Sequence, residues 1–377
     1  MRFRASIFLG IGIGLAAALV LIAHTATHRM AGPPMLPDYG GPVRSVVMQY
    51  AAGSTFVVPV FCDYLKWQGP DVTVYIACPG ETDLAEITGL LGNSTGGCRI
   101  VPVFTGHTMT AWSRDRWVAL ADGAGKPVTL LSSRGELAQD VWPQREGDSH
   151  VGEDLARAFP AVFSARRSGL YFDGGDLLAD GGNVFVTHAV LERNLQHTVA
   201  TRDDLVAALS RELGCNSVLM EDAPDHHAGM YMMAAGPGAA GKRTMLVADP
   251  SLGKEAYAGG ADNDALFADG PDFSDQTQAR FDSVAAVAEK AGYRVVRIPV
   301  VPGHGKMYMT YVNVILDRRD GKPIVYMSCY AGQERMNAQA EGLWKSLGYE
   351  VRRVDCTTVW RRGGTLHCLV NVFGRDP

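Results

Sequence analysis

The sequence predicts an α/β fold built from repeated modules, because amphipathic helices that end at glycine are followed directly by short β-rich strands. The clearest unit has a predicted helix over residues 333–347, a left-handed cap at Gly348 and a predicted strand over residues 349–354. Its segment KSLGYEVRRVDC, from Lys345, parallels EKAGYRVVRIPV, from Glu289. Repetition of such a unit favours radial or stacked modules over one doubly wound sheet.

Further copies of this unit support the interpretation. In one, a helix over residues 281–291 precedes a strand over residues 293–300. In another, a capping-box sequence at Thr201 begins a helix that leads to a strand over residues 215–220, and a weaker copy lies around residues 84–103. Each module would also contain strands between the copies, which are predicted over residues 245–247, 309–317 and 324–328.

The N-terminal segment differs in character from the rest of the chain. Arg2 and Arg4 precede an apolar and glycine-rich run over residues 7–23, which ends in polar residues. This pattern predicts a signal peptide or a membrane anchor over residues 1–28, and both alternatives stay open. We therefore expect an exported protein that is periplasmic, extracellular or attached to a membrane through this run.

Length and composition limit the fold and the partners that the rest of the chain can have. A length of 377 residues with 47% hydrophobic content is enough for a substantial core. A Pro/Gly-rich linker is predicted over residues 29–42 and one domain over residues 43–377. The net charge is -5 and no long Lys/Arg block is present, so no nucleic-acid partner is expected.

The cysteines do not form a metal-binding pattern. The chain has 7 cysteines, none in a CxxC pair, and zinc-type spacing is absent. In an exported protein this odd number permits up to three disulfides and one free thiol, whereas small buried hydrophobic residues are an equally good interpretation. The positions are Cys62, Cys78, Cys98, Cys215, Cys329, Cys356 and Cys368.

Cys368 lies in a segment with the alternation of a strand, residues 365–372. This segment follows Gly363 and Gly364, whose lack of side chains permits close approach of the backbone to a ligand. A thiol at such a position is either a nucleophile or a buried structural residue. The sequence alone leaves both interpretations open, because a nucleophilic thiol needs a base or a lowered pKa.

Two other segments supply groups that suit catalysis. The segment with His226 and His227 supplies a histidine able to titrate near neutral pH, although the two could also be a solvated surface pair. Adjacent histidines in an extended segment suit one shared metal poorly. The segments WSRDRW from Trp112 and FDGGD from Phe172 carry carboxylates, which accept two parallel N–H bonds from a planar guanidinium.

Together these motifs resemble a known family. WSRD, then DGGD with GGN and ERN downstream, then HHAGM, TYVN, YAGQE and GGTLHC follow one another between Trp112 and Cys368. This order resembles the guanidine-modifying pentein superfamily, above all agmatine deiminases and bacterial peptidylarginine-deiminase-like proteins. The resemblance implies a pentein fold, an α/β propeller of five pseudo-symmetric modules.

The resemblance also implies roles for individual residues. It makes Cys368 the nucleophile, His227 the general acid/base and Asp173 a catalytic acid, in place of the family's glutamate. It makes Asp115 a guanidinium-binding acid. The other substrate-binding residues that it implies are Trp112, Arg114 and Asp176.

One position departs from the family's pattern. The family's acid two residues after the histidine falls on Gly229, so one carboxylate of the guanidinium clamp is absent from the sequence. Asp225 or Asp176 could replace it, and the sequence does not choose between them.

The activity that the resemblance implies is hydrolysis of a guanidino compound through a covalent thiouronium intermediate on Cys368, with release of ammonia. It implies no metal and no organic cofactor, and a small cationic substrate such as agmatine or arginine, or a peptidylarginine. Alternatives are an amidinotransferase and an impaired pentein-fold binding module. A thiol protease that uses Cys368 and His227 ranks last, because it does not explain the WSRD and DGGD segments.

Overall fold

The computed structural model describes residues 32–121, 126–135, 143–237, 241–259, 267, 269–304 and 306–376. The predicted signal peptide or anchor lies outside the described residues. Within them, no helix combines the length and the apolar character that crossing a membrane requires.

The chain forms strands and helices in alternation. The strands are β1 (Val43–Gln49), β2 (Thr73–Cys78), β3 (Arg99–Phe104), β4 (Trp117–Leu120), β5 (Val128–Ser132), β6 (Phe163–Arg167), β7 (Leu177–Ala179), β8 (Asn183–Thr187), β9 (Asn216–Met220), β10 (Met232–Pro237), β11 (Arg243–Asp249), β12 (Arg294–Pro302), β13 (Tyr308–Thr310), β14 (Ile315–Arg319), β15 (Lys322–Cys329), β16 (Glu350–Asp355) and β17 (Val370–Arg375). The helices are α1 (Val58–Leu65), α2 (Glu81–Leu91), α3 (Pro143–Asp148), α4 (Val151–Ala158), α5 (His188–Asn194), α6 (Arg202–Leu213), α7 (Pro250–Ala256), α8 (Asp275–Lys290), α9 (Glu334–Ser346) and α10 (Leu366–Leu369).

The described strands form five separate sheets that share one three-stranded plan, to which β3 adds a fourth strand in one sheet and β13 in another. A central strand pairs antiparallel with the strand before it and parallel with the strand after it, and one or two helices connect the parallel pair. In one module β5 pairs antiparallel with β4 and parallel with β6. The same plan recurs around β8, β11 and β15. Parallel strands need such a crossover, which contains, among the described residues, two helices in the modules around β5, β8 and β11 and one helix, α9, in the module around β15.

The fifth module joins the two ends of the described chain. Strand β1 pairs antiparallel with the C-terminal strand β17 and parallel with β2, with α1 as the connection between β1 and β2. The register places Val46 opposite Val372. This closure makes the C-terminal strand one edge of the N-terminal sheet, whose order is β17-β1-β2-β3, and brings the turn before it to the same module.

Local capping residues predicted the ends of α6 and α9 well, but the start of α8 was missed. Helix α6 begins at the predicted capping box, in which Thr201 and Asp204 exchange side-chain and backbone hydrogen bonds, and it ends at Gly214 in the left-handed conformation. Helix α9 spans all but the end residues of its predicted range, and Gly348 has a φ of 89°. Helix α8 begins six residues before the predicted start, because Ser274 caps it.

Two strand predictions were wrong in ways that matter for function. The predicted strand over residues 309–317 is divided into β13 and β14, which belong to different sheets. The predicted strand over residues 365–372 is helical in its first half, where α10 precedes β17. The helical turn carries Cys368, which lines the cavity described below, and the break between β13 and β14 contains Asn313, which contacts Cys368.

The segment predicted as a linker packs against the domain from Met35 onward. Met35 is buried and its backbone N–H donates to the Leu213 carbonyl, while that of Leu36 donates to Ala119. Asp38 is buried too, and its carboxylate binds Arg114 and His367. All seven cysteines are free thiols, so the disulfides that the sequence permitted are absent.

Candidate active site

A cavity of about 340 Å³ collects most of the residues that the sequence singled out. Of the predicted site residues, Trp112, Asp115, Asp173, His227 and Cys368 line it. These come from segments as far apart as residues 112 and 368, so the fold brings them together. The full lining comprises Thr110, Trp112, Asp115, Arg145, Asp173, His226, His227, Lys306, Arg362, Gly363 and Cys368.

Cys368 lies on α10, the single helical turn between Gly364 and β17. Thr365 Oγ1 and the His367 backbone N–H both donate to Asn313 Oδ1, at 2.7 and 2.9 Å, and so hold this turn. The amide Nδ2 of Asn313 lies 3.4 Å from Cys368 Sγ. A side chain at Gly364 would collide with Trp112, since a Cβ atom there would lie 2.6 Å from the indole ring.

Asn313 reaches this turn because the chain leaves the sheet between β13 and β14. Its Nδ2 also donates to the Gly229 carbonyl at 3.1 Å, so one buried amide ties together the turns that carry Cys368 and His227. The interruption of the predicted strand therefore positions the candidate nucleophile.

His227 lies between two carboxylates at the base of the cavity. Its Nδ1 is 3.9 Å from Asp115 Oδ1, and its Nε2 is 3.7 Å from Asp173 Oδ2. Burial disfavours the charged ring, but Asp115, Asp173 and Cys368 outweigh it and raise the pKa of His227 well above its usual 6.5. His227 is therefore an imidazolium at neutral pH, next to the Cys368 thiol.

His226 has a different environment from its neighbour. Its backbone is in the left-handed region, with a φ of 102°, and its Nε2 donates to the Gly363 carbonyl. Burial and the neighbouring His227 charge lower the pKa of His226 to about 3, so this ring is neutral. The two rings thus have separate partners, and they are not a solvated surface pair.

Asp115 and Asp173 are joined by one guanidinium, that of Arg145. Arg145 donates to Asp115 Oδ2 at 2.5 Å and to Asp173 Oδ1 at 2.9 Å. Burial raises the pKa of Asp115 despite this cation, whereas Arg193, Arg145 and Arg116 overcome burial and hold the pKa of Asp173 well below its usual range. Asp115 Oδ1 is buried and has no hydrogen-bond partner among the described residues.

Two of the predicted substrate-binding residues do not line the cavity, so these assignments are corrected. Arg114 is buried, donates to the Gly174 and Leu177 carbonyls and pairs with Asp38. Asp176 is also buried, where Arg193 Nη2 lies 2.6 Å from its carboxylate. Both residues stabilise the segments that carry Asp115 and Asp173.

Neither acid that could have replaced the missing carboxylate at Gly229 does so. Asp176 is bound to Arg193, and Asp225 pairs with Arg280 at 2.7 Å outside this cavity. Beside Gly229 stand Asn313 and His367 instead. Among the described residues, Asp115 and Asp173 are the carboxylates that line the cavity.

Several lining residues were not identified from the sequence. Arg145 lies in no recognisable motif, and Lys306 lies in a short Gly/His segment. Arg362 directly precedes Gly363 and Gly364, and this position is the sequence feature that points to it as a site residue. Asn313, which contacts Cys368 but does not line the cavity, lies in the TYVN motif, for which the sequence predicted no role.

The comparisons with known proteins concern the fold. No protein-family model and no curated protein sequence matches the chain. Among solved structures, the agmatine deiminase of C. jejuni gives a TM-score of 0.64 at 14% identity over 90% of this chain and 95% of that one. A Cys-to-Ser variant of the C. jejuni enzyme with substrate bound gives 0.66 at 13% identity, with 91% and 96% covered.

An agmatine deiminase from a second organism gives a similar result. The agmatine deiminase of Enterococcus faecalis gives a TM-score of 0.65 at 14% identity, with 91% of this chain and 96% of that one covered. The five sheets of the described chain agree with the modules of such a propeller. The chain therefore has the pentein fold of the agmatine deiminases.

Proposed function

We propose that the protein is a hydrolase that deiminates a guanidino compound, with Cys368 as nucleophile and ammonia as a product. The observation that carries this proposal is the convergence of Cys368, His227 and Asp115 on one cavity. A thiol beside an imidazolium is a common arrangement for a thiolate nucleophile. A carboxylate facing the same space suits a cationic guanidine.

The reaction begins with attack of the Cys368 thiolate on the guanidinium carbon, which forms an S–C bond. The C–N bond to the leaving nitrogen then breaks, and His227 gives its proton to that nitrogen, so that ammonia departs. Asn313 Nδ2, 3.4 Å from Sγ, donates a hydrogen bond to the thiolate before attack. The product of this half-reaction is a thiouronium group on Cys368.

Water completes the cycle. His227, now neutral, accepts a proton from water as the oxygen attacks the thiouronium carbon. The S–C bond breaks and the ureido product leaves, while the proton of its new hydroxyl group passes to solvent and converts the released ammonia to ammonium; the Cys368 thiolate and the His227 imidazolium are restored. The Asp115 and Asp173 carboxylates stabilise the imidazolium form of His227 at the start and at the end of the cycle.

Asp115 Oδ1 is the group that would receive the substrate guanidinium. It is buried in the cavity wall with no hydrogen-bond partner among the described residues, and an unsatisfied buried carboxylate oxygen is costly. Arg145 on the other oxygen supports this role, because a planar guanidinium already binds the same carboxylate at hydrogen-bond distance. The substrate would therefore share Asp115 with Arg145.

A second function, ligand binding without turnover, is favoured by one observation. Gly229 supplies no carboxylate, and Arg145 occupies part of the remaining acidic surface. A cavity of this kind could hold a ligand and fail to orient its guanidinium for attack. The amidinotransferase alternative has no observation of its own in its favour.

The test is release of ammonia and formation of a ureido product from a panel of guanidino compounds. We expect turnover by the wild type, its loss in Cys368→Ala and in His227→Ala, and its retention in Cys62→Ala, which removes a thiol outside the cavity. Equal turnover in Cys368→Ala would reject the covalent mechanism. Binding of guanidines without any turnover by the wild type would support the binding module instead.

A further inference from the structure

Two cationic side chains, Lys306 and Arg362, line the same cavity as Cys368. Both residues are exposed. The described part of the chain provides neither an ion-pair partner nor a side-chain hydrogen bond for either of them. Exposed cations of this kind on a cavity wall are available to a ligand.

The aromatic ring of Phe56 holds Arg362 in place. The guanidinium carbon of Arg362 lies 4.1 Å from the centroid of the Phe56 ring, and that ring lies 6.3 Å from the ring of Trp112, which also lines the cavity. A guanidinium that contacts an aromatic face keeps its in-plane N–H groups for hydrogen bonds. Arg362 can therefore bind a planar anion without losing this support.

Lys306 lies next to the segment that carries Arg362. A Cβ atom on Gly363 would be 3.6 Å from the Lys306 carbonyl oxygen and 3.6 Å from His226 Nε2. The positive charge of Lys306 also contributes to the lowered pKa of His226, which agrees with this closeness. The two cations thus belong to one part of the cavity wall.

The charge balance of the cavity argues against a purely cationic ligand. Its lining has two carboxylates, Asp115 and Asp173, and His227 carries a positive charge. Three permanent cations also line it, namely Arg145, Lys306 and Arg362. The two carboxylates already bind Arg145, and Arg116 also pairs with Asp173, at 2.7 Å. A guanidinium that enters alone raises an existing excess of positive charge, whereas a ligand that also carries a carboxylate does not.

We propose that Lys306 and Arg362 form a carboxylate-binding subsite, so that the substrate is a guanidino acid with its guanidinium at Asp115 and its carboxylate at these two cations. This inference rests on the proposed deiminase function for the guanidinium end. The carboxylate belongs either to a free guanidino acid or to the C-terminal arginine of a peptide, because both present the same chemistry.

The experiment compares compounds that differ only at the end remote from the guanidinium. These are γ-guanidinobutyrate, its amide and agmatine, which present a carboxylate, a neutral group and an ammonium. We expect kcat/KM to be roughly ten- to a hundredfold higher for the carboxylate than for the amide, and lowest for agmatine. Glycylarginine and glycylargininamide form a second pair, and turnover of glycylarginine at the rate of arginine would identify the peptide source.

Matched variants assign the preference to the subsite. Lys306→Gln and Arg362→Gln should each reduce the ratio of kcat/KM for the carboxylate to kcat/KM for the amide toward one. The control is Arg361→Gln, since Arg361 is the neighbouring cation, lies 5.5 Å from the Trp360 ring and does not line the cavity. Lys306→Glu should shift the preference toward agmatine.

The outcomes separate this inference from the proposed function. Equal kcat/KM for the carboxylate and the amide, with turnover of both, overturns the subsite and leaves the deiminase function standing. If no guanidine is turned over, the deiminase function fails, and titration calorimetry with γ-guanidinobutyrate and its amide decides the subsite. Tighter binding of the carboxylate that Arg362→Gln abolishes supports the subsite, and equal binding overturns it.

Discussion

Gly175 packs against the imidazole of His227 so closely that a Cβ atom on Gly175 would lie 2.4 Å from Nδ1. A Cβ on the preceding Gly174 would lie 2.2 Å from the Arg114 carbonyl oxygen. The paired glycines of the DGGD segment therefore do more than allow a turn. They let the backbone that carries Asp173 approach both the histidine and the segment that carries Asp115.

This contact predicts a specific effect for Gly175→Ala. The added methyl group must displace the His227 ring from its place between Asp115 and Asp173, so we expect turnover to fall by about a hundredfold or more. Gly89→Ala is the matched control, because Gly89 lies within α2 and a Cβ there meets no atom within 4 Å. Circular dichroism verifies that both variants are folded. Normal activity in folded Gly175→Ala would show that the position of His227 is unimportant.

A second prediction concerns the reactivity of the cysteines. Cys368 lines the cavity beside His227, whereas burial raises the pKa of the Cys78, Cys98, Cys215 and Cys356 thiols. Chloroacetamidine imitates the guanidinium and should label Cys368 first, at least about tenfold faster than chloroacetamide does.

Mass mapping of the labelled peptides measures this preference, and Cys62 is the internal control. Cys62 is half-buried and lies outside the cavity, so it should react with both reagents without preference for the amidine. Labelling of another cysteine before Cys368 would argue against its role as the nucleophile.

The sequence predicted most of the helices because their ends depend on neighbouring residues. Thr201 and Asp204 cap α6 through bonds three residues apart, and Gly348 follows α9 with a positive φ that glycine adopts freely. The motif residues that line the cavity, such as Cys368 and His227, also lie in short segments that could be recognised locally.

Long-range contacts explain what the sequence did not predict. Residues 309–317 have the apolar pattern of one strand, but Asn313 is drawn out of it by bonds to Thr365 and His367, more than fifty residues away along the chain. Arg145 is part of the site through two carboxylates from distant segments. No local pattern encodes such contacts, so Arg145 and the break at Asn313 needed the structure.

The bridging position of Arg145 leads to a third prediction. Arg145→Met keeps an unbranched side chain and removes the guanidinium, which leaves Asp115 without its hydrogen-bonded cation. A substrate guanidinium can then bind both oxygens of Asp115, and we expect KM for simple guanidines to fall by about tenfold. Arg157→Met is the control, because the exposed Arg157 pairs with Asp154 within α4 and does not line the cavity. A higher KM would mean that Arg145 helps to bind the substrate.

A fourth prediction concerns stability and pH, through Asp148. Burial raises the pKa of this carboxyl from 3.8 to about 7, although Thr110 donates two hydrogen bonds to it. A pKa that is raised in the folded state contributes stability that is complete below 3.8 and is lost as the pH rises to about 7. The contribution of Asp148 to the free energy of unfolding should therefore decrease across this range.

The Asp148→Asn variant lacks this ionisation and has nearly the same shape. Its amide can still accept from the Thr110 N–H and donate to Thr110 Oγ1. Urea denaturation at about pH 5 and about pH 8 should show a smaller loss of stability for the variant than for the wild type. Identical losses in the two proteins would contradict the raised pKa.

The last prediction concerns Gly229, where the family's second clamp acid is absent. A Cβ on Gly229 would lie 3.1 Å from His367 Nδ1 and 3.3 Å from Asn313 Nδ2, so a side chain fits if these neighbours shift by a few tenths of an ångström. Gly229→Asp restores a carboxylate near Cys368, and a recovered hydrogen bond to a charged group corresponds to roughly 1.5–3 kcal/mol. We expect kcat/KM for simple guanidines to rise by about tenfold or more.

The Gly229→Ala variant isolates the steric part of this change, because it adds the Cβ atom without the charge. It should lose activity slightly relative to wild type, through the contacts with His367 and Asn313. The comparison of Asp with Ala at this position then measures the carboxylate itself. If both variants are folded and equally active on every guanidine tested, a second acid at this position is not what limits turnover, and the shared use of Asp115 with Arg145 becomes the better explanation of a slow reaction.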